Sequence, residues 1–189
     1  MSENKLPFRP GRMLATRFTG TLTERRGDPV ERLPTPERLM DFLRANDLPM
    51  SACTQEDLRR AVTLRESVHA CATAVATGGE MPTEDVEQLN AASAAGRPVL
   101  LFTPDGGRQW RFSTAHGIED ALSVIAQDAI TLLSGGVSGR WALCASPTCR
   151  AAYFDTSRGG SRRWCDMNTC GNREKKARFS ATHRSGMRD

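Results

Sequence analysis

Four of the six cysteines in this 189-residue chain fall into two pairs of identical spacing. Cys144 and Cys149 enclose four residues, Cys165 and Cys170 enclose four more, and fifteen residues separate the pairs. Two short chelate loops of this kind can bring four soft thiolates together tetrahedrally around one divalent ion. The gap lies at the upper edge of the range for structural zinc, so each loop is a slightly enlarged knuckle. Two disulfides and four unrelated buried thiols are the competing readings, but cysteines that only pack rarely share a paired spacing. One structural Zn2+ per chain is therefore expected on Cys144, Cys149, Cys165 and Cys170. The other two cysteines read differently: Cys71 falls on the apolar stripe of a helix and belongs to the core. Cys53 stands before a helix start with little positive charge nearby to activate it.

Charge divides the chain at the same place as the metal motif. Residues 1–139 carry 15 Lys/Arg against 18 Asp/Glu, whereas residues 140–189 carry 11 against 4. A basic patch of net +7 on a small module suits a phosphate backbone, because each neutralised phosphate releases a counterion. A merely solvating tail is the plainer alternative. No stretch approaches twenty apolar residues, so no membrane span is expected. The opening residues lack the apolar core of a secretion signal. A cytoplasmic, nucleoid-associated protein is expected, in a compartment that keeps thiols reduced and favours metal over disulfides.

The elements that must position the motif are legible from periodicity and punctuation. Thr35-Pro36-Glu37 starts a helix with a cap, a first-position proline and an acid at the positive end of the dipole, and that helix ends near Asn46. Thr54 opens a longer one, with Leu58, Ala61, Leu64, Val68, Cys71 and Val75 as its stripe and Gly78-Gly79 as its stop. On this helix Arg65-Glu66 read as solvated, with a place in a pocket lining as the alternative. Thr83 starts a third helix that runs to Gly96. Val99–Phe102 and Gln109–Phe112 flank a Thr-Pro-Asp-Gly-Gly turn and read as a β-hairpin. A fourth helix follows from about Gly117 to Leu133. Ser134–Gly139 is rich in glycine and reads as a hinge. The fold expected is mainly α (α+β): a helical domain over 1–134 with a small hairpin, a hinge at 135–139, and a compact metal module over 140–189.

Within that module, Arg140–Leu143 leads into the first knuckle as a strand and Arg150–Asp155 leaves it as another. Asp155 and Arg158 are placed to close this hairpin as an ion pair. The second knuckle runs into a basic helix from Gly171, so the last ligand sits at a helix start, where the dipole favours anionic sulfur. Knuckle, hairpin and helix in that order resemble the treble-clef arrangement of small zinc modules. Phe154-Asp-Thr-Ser-Arg158, Arg162-Arg-Trp-Cys165 and Cys170-Gly-Asn-Arg173 with Lys176, Arg178 and Phe179 are similar to the CGNR zinc finger. That finger usually ends bacterial proteins whose front part is the ABATE domain, regarded as a stress-induced transcription regulator. Leu14-Ala15, Phe18, Thr21, Arg25-Arg26-Gly27 and Leu33-Pro34-Thr35-Pro36 resemble that domain too. In one respect the chain departs. The family commonly places an acid before the first aromatic and an asparagine shortly after it, where this chain has Arg17 and Gly20. An effector pocket built on that pair would be altered or lost here.

The resemblance implies a regulator that binds double-stranded DNA, with a small-molecule effector and a homodimer as further partners. Arg162, Arg163, Arg173, Lys175, Lys176 and Arg178 are the expected DNA contacts. They fan around the helix, which suits phosphate clamping better than base reading by every residue. Arg173 is open between a base edge and a hydrogen bond inside the motif, and Asn172 reads as structural. No enzyme is expected. No histidine occurs between Cys144 and Thr182, and four cysteines leave zinc no open coordination position. A protein-interaction or small-ligand module, with the finger as scaffolding, is the alternative.

Overall fold

The computed structural model describes residues 6–48, 50–113 and 117–185, with the side chains of 178 and 181–185 outside the described residues. Six α-helices and three two-stranded antiparallel sheets appear among the described residues. In chain order they are α1 (Leu14–Thr19), β1 (Leu22–Thr23), β2 (Val30–Glu31), α2 (Pro36–Arg44), α3 (Gln55–Thr77) and α4 (Thr83–Ala95). Then come β3 (Val99–Phe102), β4 (Arg108–Arg111), α5 (Ile118–Leu133), β5 (Arg140–Leu143), β6 (Ala152–Asp155) and α6 (Asn172–Ser185). A single π-helical turn, Met167–Gly171, precedes α6. The fold is mainly helical with small strand pairs, as the periodicity implied.

Local chemistry explains the helix ends. Thr35 Oγ1 accepts from the Arg38 N–H at 3.4 Å with Pro36 behind it. Thr54 and Asp57 form a reciprocal capping box that starts α3, and Gly78 ends it in the left-handed conformation at φ 70°, which glycine adopts without a Cβ clash. Helix α5 is apolar on most of its circumference, with Ile118, Ala121, Leu122, Val124, Ile125, Ala126, Ala129 and Leu132 all buried. It is accordingly the central helix, packed against α1, α3 and α4. Phe18 stacks obliquely on Phe42 at 5.7 Å, and Phe8 meets the same ring edge-on at 5.4 Å.

The core does not stop at the glycine-rich connection. Trp141, Ala152 and Phe154, from β5 and β6, lie in one cluster with Phe18, Leu64, Val68 and Ile125. The two finger aromatics meet edge to face at 5.6 Å, and their hairpin packs on α3 and α1. Only a small satellite of Cys144, Cys149, Ala151 and Cys170, with Trp164 against it, surrounds the metal motif.

Two local expectations are corrected. Arg65 is not solvated: its side chain is 2 % exposed and pairs with both oxygens of Glu31 at 2.7 and 2.8 Å. It also holds Glu66 at 2.8 Å and Thr21 at 3.2 Å. An arginine this deep in an apolar stripe keeps its charge only through such partners. Asp155 is not closed by Arg158 but accepts the N–H groups of Ser157 (2.9 Å) and Arg162 (3.1 Å).

Candidate metal centre

Each cysteine is delivered by a different local device. Cys144 leaves strand β5, and its N–H donates to the Ala151 carbonyl at 2.9 Å. Cys149 ends the first knuckle turn, donating to the Ser146 carbonyl at 3.2 Å, and Arg150 takes φ 47° to turn the chain into β6. Cys165 sits where Arg162 folds back on the second knuckle, bonding the carbonyls of Trp164 (2.8 Å) and Cys165. Cys170 lies in the π-helical turn before α6. At Gly171 the turn runs close under the Met167 thioether, 2.7 Å from where a Cβ would stand.

The four sulfurs lie within 4.8 Å of one another. Cys149 and Cys165 Sγ are 3.6 Å apart, and Cys165 and Cys170 Sγ 3.7 Å. A tetrahedral zinc with bonds of about 2.3 Å requires sulfur separations of about 3.8 Å. The donor set therefore fits structural Zn2+, and the four cysteines read from spacing are the ones the fold assembles. Hydrogen bonds among the four crowded sulfurs push the Cys149 and Cys170 thiols down and the Cys144 and Cys165 thiols up. Without a cation the cluster therefore does not carry four thiolates at once, whereas a divalent ion would hold all four deprotonated. The remaining two cysteines stay apart. Burial, with Asp57 and Glu37 nearby, pushes Cys53 up to about 11, and Cys71 is fully buried in the main core.

Two arginines face the sulfurs. Arg9 Nη1 donates to Cys165 Sγ at 2.9 Å and lies 3.9 Å from Cys170 Sγ. Arg173 Nη2 lies 3.7 Å from Cys170 Sγ, 2.8 Å from Ser146 Oγ and 3.0 Å from Glu24 Oε1. Four thiolates on a dication carry a formal double negative charge, and these cations offset it in partly buried surroundings.

The β1–β2 hairpin is the adapter that receives the finger. Arg25 and Arg26 donate backbone N–H bonds to the Cys149 and Thr148 carbonyls at 3.1 and 2.9 Å, and Glu24 accepts from Thr148 Oγ1 at 2.6 Å. Gly27 lets the two chain segments approach closely there: a Cβ would meet Thr148 Cβ at 3.0 Å, tighter than an ordinary contact. Behind the adapter, Arg25 pairs with Glu66 at 2.6 Å, which Arg65 also holds, and His69 reaches the Arg150 carbonyl at 3.3 Å. Spacing alone did not reveal this chain of contacts. The Arg25-Arg26-Gly27 string marked its place only through the resemblance.

The expected DNA contacts divide into two sets. Arg162 is committed to its own knuckle and lies 4.8 Å over the Tyr153 ring, and Arg173 is bonded as above. Arg163 is exposed beside Trp164, while Lys175 and Lys176 are exposed on α6 without an ion pair among the described residues. Arg178 lies on the same helix, its side chain outside the described residues. Asn172 Nδ2 donates to the Asn168 carbonyl at 3.4 Å. Of the two departures, Gly20 ends α1 with its N–H on the Thr16 carbonyl, and Arg17 lines a cleft beside α5. None of the described helices is long and apolar enough to cross a membrane.

No curated protein matches the chain. Two family models do. The CGNR zinc finger matches residues 140–183. The ABATE model, described as "Putative stress-induced transcription regulator", matches residues 13–136. These matches support a regulatory role, and the families are of regulator and zinc-finger type rather than enzymes. The chain belongs to the ABATE family and ends in a CGNR zinc finger with one structural zinc site.

Proposed function

We propose that this protein is a DNA-binding transcription regulator whose zinc finger presents α6 to the phosphate backbone. The observation that carries this reading is the pair Lys175 and Lys176. Both are exposed and unpaired among the described residues, and they lie one turn beyond the ligand Cys170 on a helix whose start the metal site fixes. Arg163, exposed ahead of the second knuckle, and Arg178, further along α6, are the other proposed contacts. Arg162 and Arg173 act chiefly by holding the knuckles, although about half of the Arg173 side chain (47 %) stays open.

Residues 1–134 serve as the sensing or dimerising part and 140–189 as the DNA-binding part. Because β5 and β6 share the main core, segment 135–139 works as a connection between parts that move together. The protein acts in the cytoplasm on the nucleoid and is no enzyme, since four cysteines close the zinc to substrate. A mobility-shift assay with promoter DNA from the protein's own locus, with and without a zinc chelator, tests the reading. A chelator-sensitive shift is expected. Indifference to DNA at micromolar protein and low salt would leave the finger as scaffolding for a protein-interaction or ligand-binding module.

A further inference from the structure

A cleft of about 420 Å³ opens between the start of α1, the end of α2, strand β4 and helix α5. That volume lies within the range of small-molecule sites. Three guanidinium groups line it, from Arg12, Arg17 and Arg108, and none of their side chains makes a hydrogen bond or ion pair with another described residue. Arg17 Nε is buried without a partner, which costs free energy unless an acceptor arrives. The acids nearby do not cancel this excess. Asp128 is turned to the Ala15 N–H at 2.7 Å, and burial raises its pKa against the attraction of Arg17 nearby. Asp47 is exposed, as are Arg12 and Arg108, so three cations face two acids.

An unpartnered acceptor lies on the same wall. Asn46 Nδ2 is fixed on the Phe42 carbonyl at 2.6 Å, which leaves the buried Oδ1 with no donor. The apolar part of the lining comes from the Trp110 ring, on the same face of its hairpin as Arg108, and from Val124. Donors of positive charge, one acceptor and an aromatic wall define a ligand with a carboxylate, a hydroxyl and a flat apolar body.

We propose that this cleft binds a small, flat hydroxylated organic carboxylate, with Arg17 and Arg108 taking the carboxylate, Asn46 Oδ1 the hydroxyl and Trp110 the ring. The inference rests on the regulator reading for its purpose, naming the chemical class of the effector, but not for the binding itself. Arg12 of the lining lies three residues from Arg9, which donates to Cys165 Sγ. Occupancy of the cleft and the zinc knuckle are thereby joined by one short segment.

Isothermal titration calorimetry of the full zinc-loaded chain tests this without DNA, so its failure is distinct from failure of the mobility shift. The probes are 6-hydroxy-2-naphthoate and 2-naphthol, which share the ring and hydroxyl but not the carboxylate. The carboxylate should bind one per chain, at least tenfold more tightly than the naphthol. Arg17→Gln and Arg108→Gln should each weaken it at least tenfold with zinc content and melting temperature unchanged. Equal binding of the two probes, no binding of the carboxylate up to millimolar concentration, or indifference to both substitutions in folded variants would overturn the proposal.

Discussion

Arg9 Nη1 and Cys165 Sγ lie 2.9 Å apart although 156 residues separate them in the chain. The contact joins the segment ahead of α1 to the metal centre of the finger. Groups that bond metal ligands from outside typically alter metal affinity by about 10–100-fold. Arg9→Gln should therefore weaken zinc binding by about tenfold or more, read by competition with a chromogenic chelator. Unchanged affinity would reduce the contact to packing.

The ligand set itself predicts a contrast between cysteines. Cys165→Ser should lose nearly all bound zinc in metal analysis, while Cys71→Ser should keep full occupancy. Because a unit this small depends on its metal for stability, the first variant should also lose the finger's protection from proteolysis. Retained zinc in Cys165→Ser would require another ligand.

Arg65 predicts a stability effect far from the metal. Removing one partner of a buried ion pair costs about 3–5 kcal/mol when the other is left uncompensated. Glu31 and Glu66 are a third and nearly half exposed, so water relieves them in part. Arg65→Met should therefore cost about 3 kcal/mol, measured by urea unfolding of the zinc-loaded protein. A loss below about 1 kcal/mol, the range of surface pairs, would contradict the buried network.

His69 supplies a pH dependence. Burial first, then Arg25, holds its pKa down at about 4 from the ordinary 6.5, despite the Arg150 carbonyl and Glu66. The unfolded chain then binds the proton more readily than the folded one. The contribution of neutral His69 is fully present above about pH 6.5 and is lost as pH falls toward 4. The advantage of the native protein over His69→Gln should shrink across this window, by at most about 3 kcal/mol. Acid release of zinc affects both proteins alike, so the difference isolates the histidine. A pH-independent difference would contradict its burial.

Much of the fold was legible because its signals are local. Thr35-Pro36, the Thr54 box and Gly78 mark helix ends through bonds made within a few residues. The zinc ligands were equally plain, since a chelate loop is a matter of spacing. What remained hidden rests on distant partners. Arg65 lies on the α3 stripe where solvation is the usual fate of an arginine, and only Glu31, across 34 residues, shows why it is buried. Strands β1 and β2 are two residues each, too short for periodicity. The expected hinge followed from glycine content, whereas the packing of Trp141 and Phe154 against the helical core is a tertiary fact. Arg173 was open between two roles, and the Glu24 carboxylate that binds it stands 149 residues earlier.

The most direct test of the central claim, that α6 on a zinc-built finger grips the DNA backbone, is the salt dependence of DNA affinity by fluorescence anisotropy. Phosphate contacts act on all sequences alike, and each adds about one unit to the slope of log affinity against log salt. Lys175→Ala with Lys176→Ala should therefore weaken binding to every duplex tested and flatten that slope by about two units. An unchanged slope in a folded, zinc-loaded double variant would contradict the account.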